Sequence, residues 1–249
     1  LYDHLTKMRV WHITRTLRGG AGIYAQRLSD ALCAEGIDSR VLCADSQESG
    51  GSGQLSTSAS PVFRFVTRAV RSMSHRLSSA PFHSMMGLVT CRAEQMPASG
   101  DIIHLHGLTG WMGLRGLNTL IPDDSWVFWT THDLWPLSGG CVLYSGCDRY
   151  REDCGGCPIL SQGVKSWAKT ELRMKTKFVT EKGIRPVANS RWMAEHIQES
   201  RVFKNSGQVP VIPPIIDPVY FSTEIENIAA EIKKNAAEVA EKIDFRVGK

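Results

Sequence analysis

The amino-acid sequence predicts an α/β fold built on a parallel sheet with helices on both faces. Three observations lead there. Short β-branched runs alternate along the chain with helical patterns. The runs Arg9–Thr14, Gly22–Ala34 and Ser39–Ala44 read as strand, helix and strand, an opening that makes the two strands parallel. Asp101-Ile102-Ile103-His104-Leu105-His106-Gly107 has the character of a short strand buried on both faces at the centre of such a sheet.

The first helix reads with Ile23, Leu28, Ala31 and Leu32 inward. Before it lies Arg18-Gly19-Gly20-Ala21-Gly22, where glycines let the backbone approach an anionic ligand and the helix N-terminus favours phosphate. The same stretch matches a dinucleotide fingerprint as Gly20-x-Gly22-x-x-Ala25, with Asp45 where a ribose-binding acid would stand. That match would make the chain a dinucleotide-dependent oxidoreductase. The intervening Arg15–Arg18 argue against it, because the fingerprint's first glycine follows its strand directly. A plain glycine-rich turn is the third reading.

Asp45–Ser60 is rich in Ser, Gly and Gln and reads as a mobile loop. Pro61–Leu77 then sets Val62, Phe63, Val66, Ala69, Val70, Met73 and Leu77 at helical spacing, with Arg64, Arg68 and Arg71 on another face. A basic amphipathic helix of this kind either lies on an anionic membrane surface or packs on the sheet with a solvated basic face. In the strand at Asp101–Gly107, alternation puts His104 and His106 on one face. His104 reads as a core histidine, and His106 stands nearest the C-terminal edge where open sheets bind ligands.

A helix over Trp111–Leu120 and a turn at Pro122-Asp123-Asp124 lead into a strand over Trp126–Thr131. His132 and Asp133 fall just past its end, on the same predicted rim as Gly20 and His106. Trp167–Val179 reads as a basic helix. Arg185–Ser190 reads as a strand ending in a helix cap, followed by a helix with Trp192, Met193 and Ile197 inward. A last strand is expected at Gln208–Ile212. Pro210, Pro213, Pro214 and Pro218 make a stiff exit, and Glu224–Ile243 reads as an amphipathic helix.

Composition excludes more than it identifies. With 249 residues, 42% hydrophobic and 22% charged, the chain can bury a sizeable core. A net charge of +4 is too small to argue for a nucleic-acid partner. No apolar run approaches the roughly 18 residues of a spanning helix, and no signal-peptide pattern opens the chain. The expected location is cytoplasmic, with peripheral contact at the inner membrane face through residues 61–77.

Four of the seven cysteines, Cys141, Cys147, Cys154 and Cys157, stand close together in a glycine-rich segment spanning 139–158. Four thiolates in one short segment suit tetrahedral zinc in a closed, structural site. Disulfides, an iron–sulfur cluster and unligated thiols are the alternatives. Cys33, Cys43 and Cys91 read as core packing.

Four stretches in order carry a resemblance: Gly19-Gly20-Ala21-Gly22; Asp101–His106; Trp129-Thr130-Thr131-His132-Asp133-Leu134-Trp135-Pro136 with Gly139-Gly140-Cys141; and Val187-Ala188-Asn189-Ser190-Arg191-Trp192. The chain resembles the N-terminal half of a retaining glycosyltransferase of family 4, in a subgroup that works on exopolysaccharides of the colanic-acid type and carries a cysteine cluster. The resemblance implies a Rossmann-like domain, one half of a GT-B fold. It implies that His132 faces the reacting sugar, that Gly19, Gly20 and Gly22 lie beside the diphosphate of a nucleotide-sugar donor, and that His106, Asp133 and Trp135 line the acceptor side. The acceptor would be a polysaccharide or a lipid-linked sugar. The usual Asn-Gly of the family's domain exit is replaced by Pro214-Ile215.

The expected organisation is an acceptor-binding domain over 8–213 with the cysteine-rich insertion 139–158, then a linker and helix over 214–249. The second, nucleotide-sugar-binding domain is expected to be absent, leaving the chain inactive alone. A non-catalytic binding domain is the alternative from another class.

Overall fold

In a computed structural model the described residues are 9–44, 53–54, 56–58, 61–87, 90–93 and 95–215. The elements are β1 (Val10–Thr14), α1 (Gly20–Ala34), β2 (Ser39–Cys43), β3 (Gly53–Gln54), β4 (Ser56–Ser58), α2 (Pro61–Arg76), β5 (Thr90–Arg92), β6 (Ile102–Leu105), α3 (Leu114–Leu120), β7 (Trp126–Thr131), β8 (Arg185–Ala188) and α5 (Arg191–Glu199), with α4 (Trp167–Glu181) between β7 and β8. Asp45, Pro218 and the expected helix at Glu224–Ile243 lie outside the described residues.

Six strands form a parallel sheet in the order β3-β2-β1-β6-β7-β8, a Rossmann-like α/β architecture. The chain runs outward from β1 to β3, then returns to β6 on the other side of β1. The crevice between β1 and β6 is therefore the topological switch point. β4 and β5 form a small antiparallel pair outside this sheet.

The two faces of the sheet differ in kind. One carries Trp11, Ile13, Ile103, Leu105, Val127 and Trp129, all buried in the main core. Removal of such large side chains from water drives the folding of this layer. The other face carries His12, His104 and Thr130, which are also buried but polar. A period of two along each strand separates the sets, and register aligns them, His12 pairing with His104 and His104 with Phe128.

Several expected details are corrected. The face of α1 turned inward holds Gly22, Tyr24, Ala25 and Ser29, whereas Ile23 is 43% exposed and Ala31 is on the surface. Contact with the polar face of the sheet selects small and hydroxyl-bearing residues rather than the aliphatic ones. Cys33 is exposed, not core packing, and Cys43 is buried. Gly53–Gln54 and Ser56–Ser58 are strands inside the stretch read as loop. Val62, Ala69 and Met73 of α2 are exposed, leaving Val66, Val70 and Leu77 half-buried. Trp192 is 47% exposed, while Met193 and Ile197 are buried. Gln208–Ile212 is not a full strand: it meets β8 through one bridge, Ala188 to Val211.

Candidate functional site

The loops carrying Gly19–Gly22, His106 and His132 all leave the C-terminal edge of the sheet, after β1, β6 and β7. Cross-links hold these loops together. Arg15 N donates to Gly107 O at 3.1 Å, and His106 N donates to Ile13 O at 2.9 Å. A Cβ on Gly107 would stand 2.8 Å from the Cβ of Ala21, so glycine there lets the start of α1 lie against the β6 loop.

Four histidines form a row along the polar face. His12 Nδ1 lies 3.1 Å from His106 Nε2, and His106 Nδ1 lies 3.4 Å from His132 Nε2. His104 Nε2 lies 2.7 Å from Thr130 Oγ1, and its ring packs on His106 with centroids 4.2 Å apart. Burial pushes His12 and His132 down to about 4. It also holds His104 and His106 well below the ordinary histidine range, with neighbouring imidazoles adding to the effect. The row is neutral at pH 7.

Each neutral imidazole has a single N–H, so His12, His106 and His132 form a chain of donors running in one of two directions. His12 Nε2 is buried and has no partner. A stranded buried donor is rarer than a stranded acceptor, which favours the proton of His12 on Nδ1. The donors then point toward His132, whose own proton falls on Nδ1.

The glycines of the β1–α1 loop have separate jobs. Gly19 sits at the N-cap of α1 with φ 85°, a conformation that favours glycine. Gly22 is steric: a Cβ there would meet Thr16 O at 2.0 Å. Gly20 faces open space. Residues 15–19 separate β1 from α1, so the glycines do not follow the strand directly as a dinucleotide fingerprint requires. Tyr24, not anticipated from the sequence, sets its ring edge-on to His132 with centroids 5.3 Å apart.

Asp133 turns back on its own loop. It accepts from Trp135 N at 2.8 Å and from Thr109 Oγ1 at 2.9 Å, and burial raises its carboxyl above the usual range despite these bonds. Trp135 is fully buried against Trp129, and its Nε1 donates to His83 O at 2.7 Å. The resemblance puts Trp135 on the acceptor side, but here its indole is closed off from solvent. His106 is 2% exposed and reaches the rim only through His132.

Two further residues escaped the sequence reading. Lys175 is fully buried, donates to Trp135 O and to Ser138 O, the latter at 2.6 Å, and lies 4.8 Å above the Trp135 ring. Burial pushes its ammonium down to about 8. One turn earlier on α4, buried Glu171 accepts from Ser84 Oγ, from Met85 N at 2.8 Å and from Trp167 Nε1 at 2.8 Å. Both belong to the inward stripe of Ala168, Leu172 and Phe178. Polar residues recurring at that apolar period were the available signal.

Cys141, Cys147, Cys154 and Cys157 line one small cavity, all with free thiols. Gly139 N donates to Cys154 Sγ at 3.3 Å, and the knuckle turns through left-handed residues at Cys154 and Gly156. The donor set fits a soft divalent ion. Elsewhere, one ring nitrogen from each of His12, His104 and His106 lies within 4.8 Å of the others. In each of these rings one nitrogen is engaged, His12 Nδ1 with His106 Nε2 and His104 Nε2 with Thr130 Oγ1.

A model of the family described as Glycosyltransferase Family 4 matches residues 18–220. The putative colanic acid biosynthesis glycosyl transferase WcaC of Escherichia coli (strain K12) is 31% identical over 68 residues, which cover 24% of this chain and 16% of that protein. No solved structure matches.

Proposed function

Because the chain belongs to glycosyltransferase family 4, we propose that it is the acceptor-side half of a GT-B enzyme that moves a hexose from a nucleotide-sugar to a polysaccharide or lipid-linked acceptor. The observation that carries this reading is His132, held at the end of β7 beside the switch point by a buried row of neutral imidazoles. Transfer breaks the bond from the anomeric carbon to the donor diphosphate and forms one to an acceptor oxygen, whose proton leaves. A neutral His132 can hydrogen-bond a sugar hydroxyl during that step without placing a like charge beside the developing oxocarbenium.

In this reading Gly19 and Gly20 border the donor diphosphate, Gly22 packs the loop that presents them, and Asp133 fixes the turn at the rim. His106 is a positioning residue. Donor binding would be completed by a second domain. Contact with a membrane surface would come through α2, where Val62 and Phe65 are 66% and 72% exposed.

The test is transfer of labelled hexose from a panel of nucleotide-sugars, by the chain alone and by the chain joined to a nucleotide-sugar-binding domain. Only the joined form is expected to transfer, and His132→Ala should slow it about a hundredfold. Full activity in His132→Ala would remove its role. Acceptor binding with no transfer in either form would instead fit a non-catalytic binding domain.

Structural zinc at Cys141, Cys147, Cys154 and Cys157 belongs to the same proposal. It would tie down the loop that follows His132 and supply no chemistry to the reaction. Elemental analysis of the reduced protein should find about one zinc per chain, lost together with thermal stability in Cys154→Ser and Cys157→Ser. Metal-free protein with an unchanged melting temperature would end this assignment.

A further inference from the structure

A solvent-open cavity of about 370 Å³ lies between α2 and the loop after β6. Arg64, Arg68, Arg71 and His83 line it, and among the described residues no acidic side chain does. The arginines recur at i, i+4 and i+7 of α2, so they share one face and repel one another. No described carboxylate forms an ion pair with any of them. Positive charge is crowded enough to reach His83, whose imidazole is held below its ordinary range first by burial and then by His75, Arg71 and Arg15.

The opposite wall is mostly backbone. Gly110 lies so close to the His83 ring that a Cβ would come within 2.9 Å of its Nδ1, and Gly113 packs on the carbonyls of Met85 and Gly87. Glu171 holds this wall in place through Ser84 and Met85. Unpaired guanidinium forks facing a narrow space complement a compact polyanion far better than a neutral sugar.

The cavity adjoins the candidate site. Thr109, next to Gly110 in the chain, donates to Asp133, and the carbonyl of His83 accepts from Trp135. Beside the arginines α2 turns an exposed apolar stripe outward, with Val62, Phe65 and Met73 at 66%, 72% and 47% exposure. A helix with that surface meets its anion at a lipid interface.

We infer that this cavity is a subsite for a phosphate or diphosphate ester on a lipid-borne acceptor, gripped by Arg64, Arg68 and Arg71 while the attached sugar reaches His132. The inference rests on the acceptor-side reading above.

The probes are inorganic pyrophosphate, by titration calorimetry at low salt, and vesicles of phosphatidylcholine with or without phosphatidic acid, by flotation. Pyrophosphate should bind the chain, and the double variant Arg68→Gln/Arg71→Gln should weaken it at least tenfold, about 1.4 kcal/mol. The remote surface variant Arg191→Gln should leave it unchanged. Vesicles should bind only when phosphatidic acid is present. Phe65→Ser should reduce vesicle binding while sparing pyrophosphate, which separates the lipid contact from the anion contact. Melting temperatures of the variants should match the parent.

Unchanged pyrophosphate affinity in the double variant, or no binding at millimolar pyrophosphate, overturns the subsite. The transfer reading then stands on its own His132 test. Pyrophosphate binding without vesicle binding overturns the lipid-borne source. Equal competition by uridine diphosphate at the arginine-sensitive site assigns the cavity to the donor and overturns the acceptor.

Discussion

Lowering the pH from 6.5 to about 4 is expected to unfold this chain through its histidines. His12 and His132 titrate near 4 in the folded protein against about 6.5 when unfolded. Below about 6.5 the unfolded chain therefore binds protons that the folded chain refuses, and stability falls as pH falls through that window. Each of the two contributes roughly 3 kcal/mol across it, and His104 and His106 act in the same direction. The combined loss rivals the whole stability of a typical domain, about 5–15 kcal/mol. Urea unfolding at pH 7, 6 and 5 should show a falling midpoint, and His12→Gln should flatten the fall. A constant midpoint over that range would contradict the buried neutral row.

Replacing Lys175 with Ala should destabilise the fold by about 3–5 kcal/mol. The substitution opens a cavity under Trp135 and strands two buried carbonyls, those of Trp135 and Ser138. Lys175→Met refills the volume and removes the cost of burying an ammonium but strands the same two carbonyls, so it should lose less than Lys175→Ala by about the cost of the cavity. Denaturant unfolding of the two variants decides the matter. A loss below about 1 kcal/mol in Lys175→Ala would show that the ammonium carries none of this loop.

The sheet was legible because its strands announce themselves locally. Arg9–Thr14, Ser39–Ala44, Asp101–Gly107 and Trp126–Thr131 are short, β-branched or apolar, and punctuated by glycine or charge. The placement of His106 and His132 on one rim followed from strand ends alone. What stayed hidden depends on contacts between distant segments. His12 reads as one polar residue in an apolar strand, and only register with β6 makes it the first member of a row. Tyr24 and Ser29 face inward because the sheet surface under α1 is polar, which no property of α1 reveals. Nothing in the sequence around Trp135 shows that Trp129, His83 and Lys175 pack over it. The sequence left two surfaces open for the apolar side of α2, because an amphipathic pattern does not say which partner that side meets.

Glu171 and Lys175 stand one turn apart on α4, yet they grip different segments, Ser84–Met85 and Trp135–Ser138. The first segment walls the arginine cavity and the second carries the rim beside His132. One rigid helical turn thus works as a crossbar that keeps the two at constant separation, since neither segment can shift without dragging α4 and hence the other. A strain that reaches one segment is therefore shared with the other through α4.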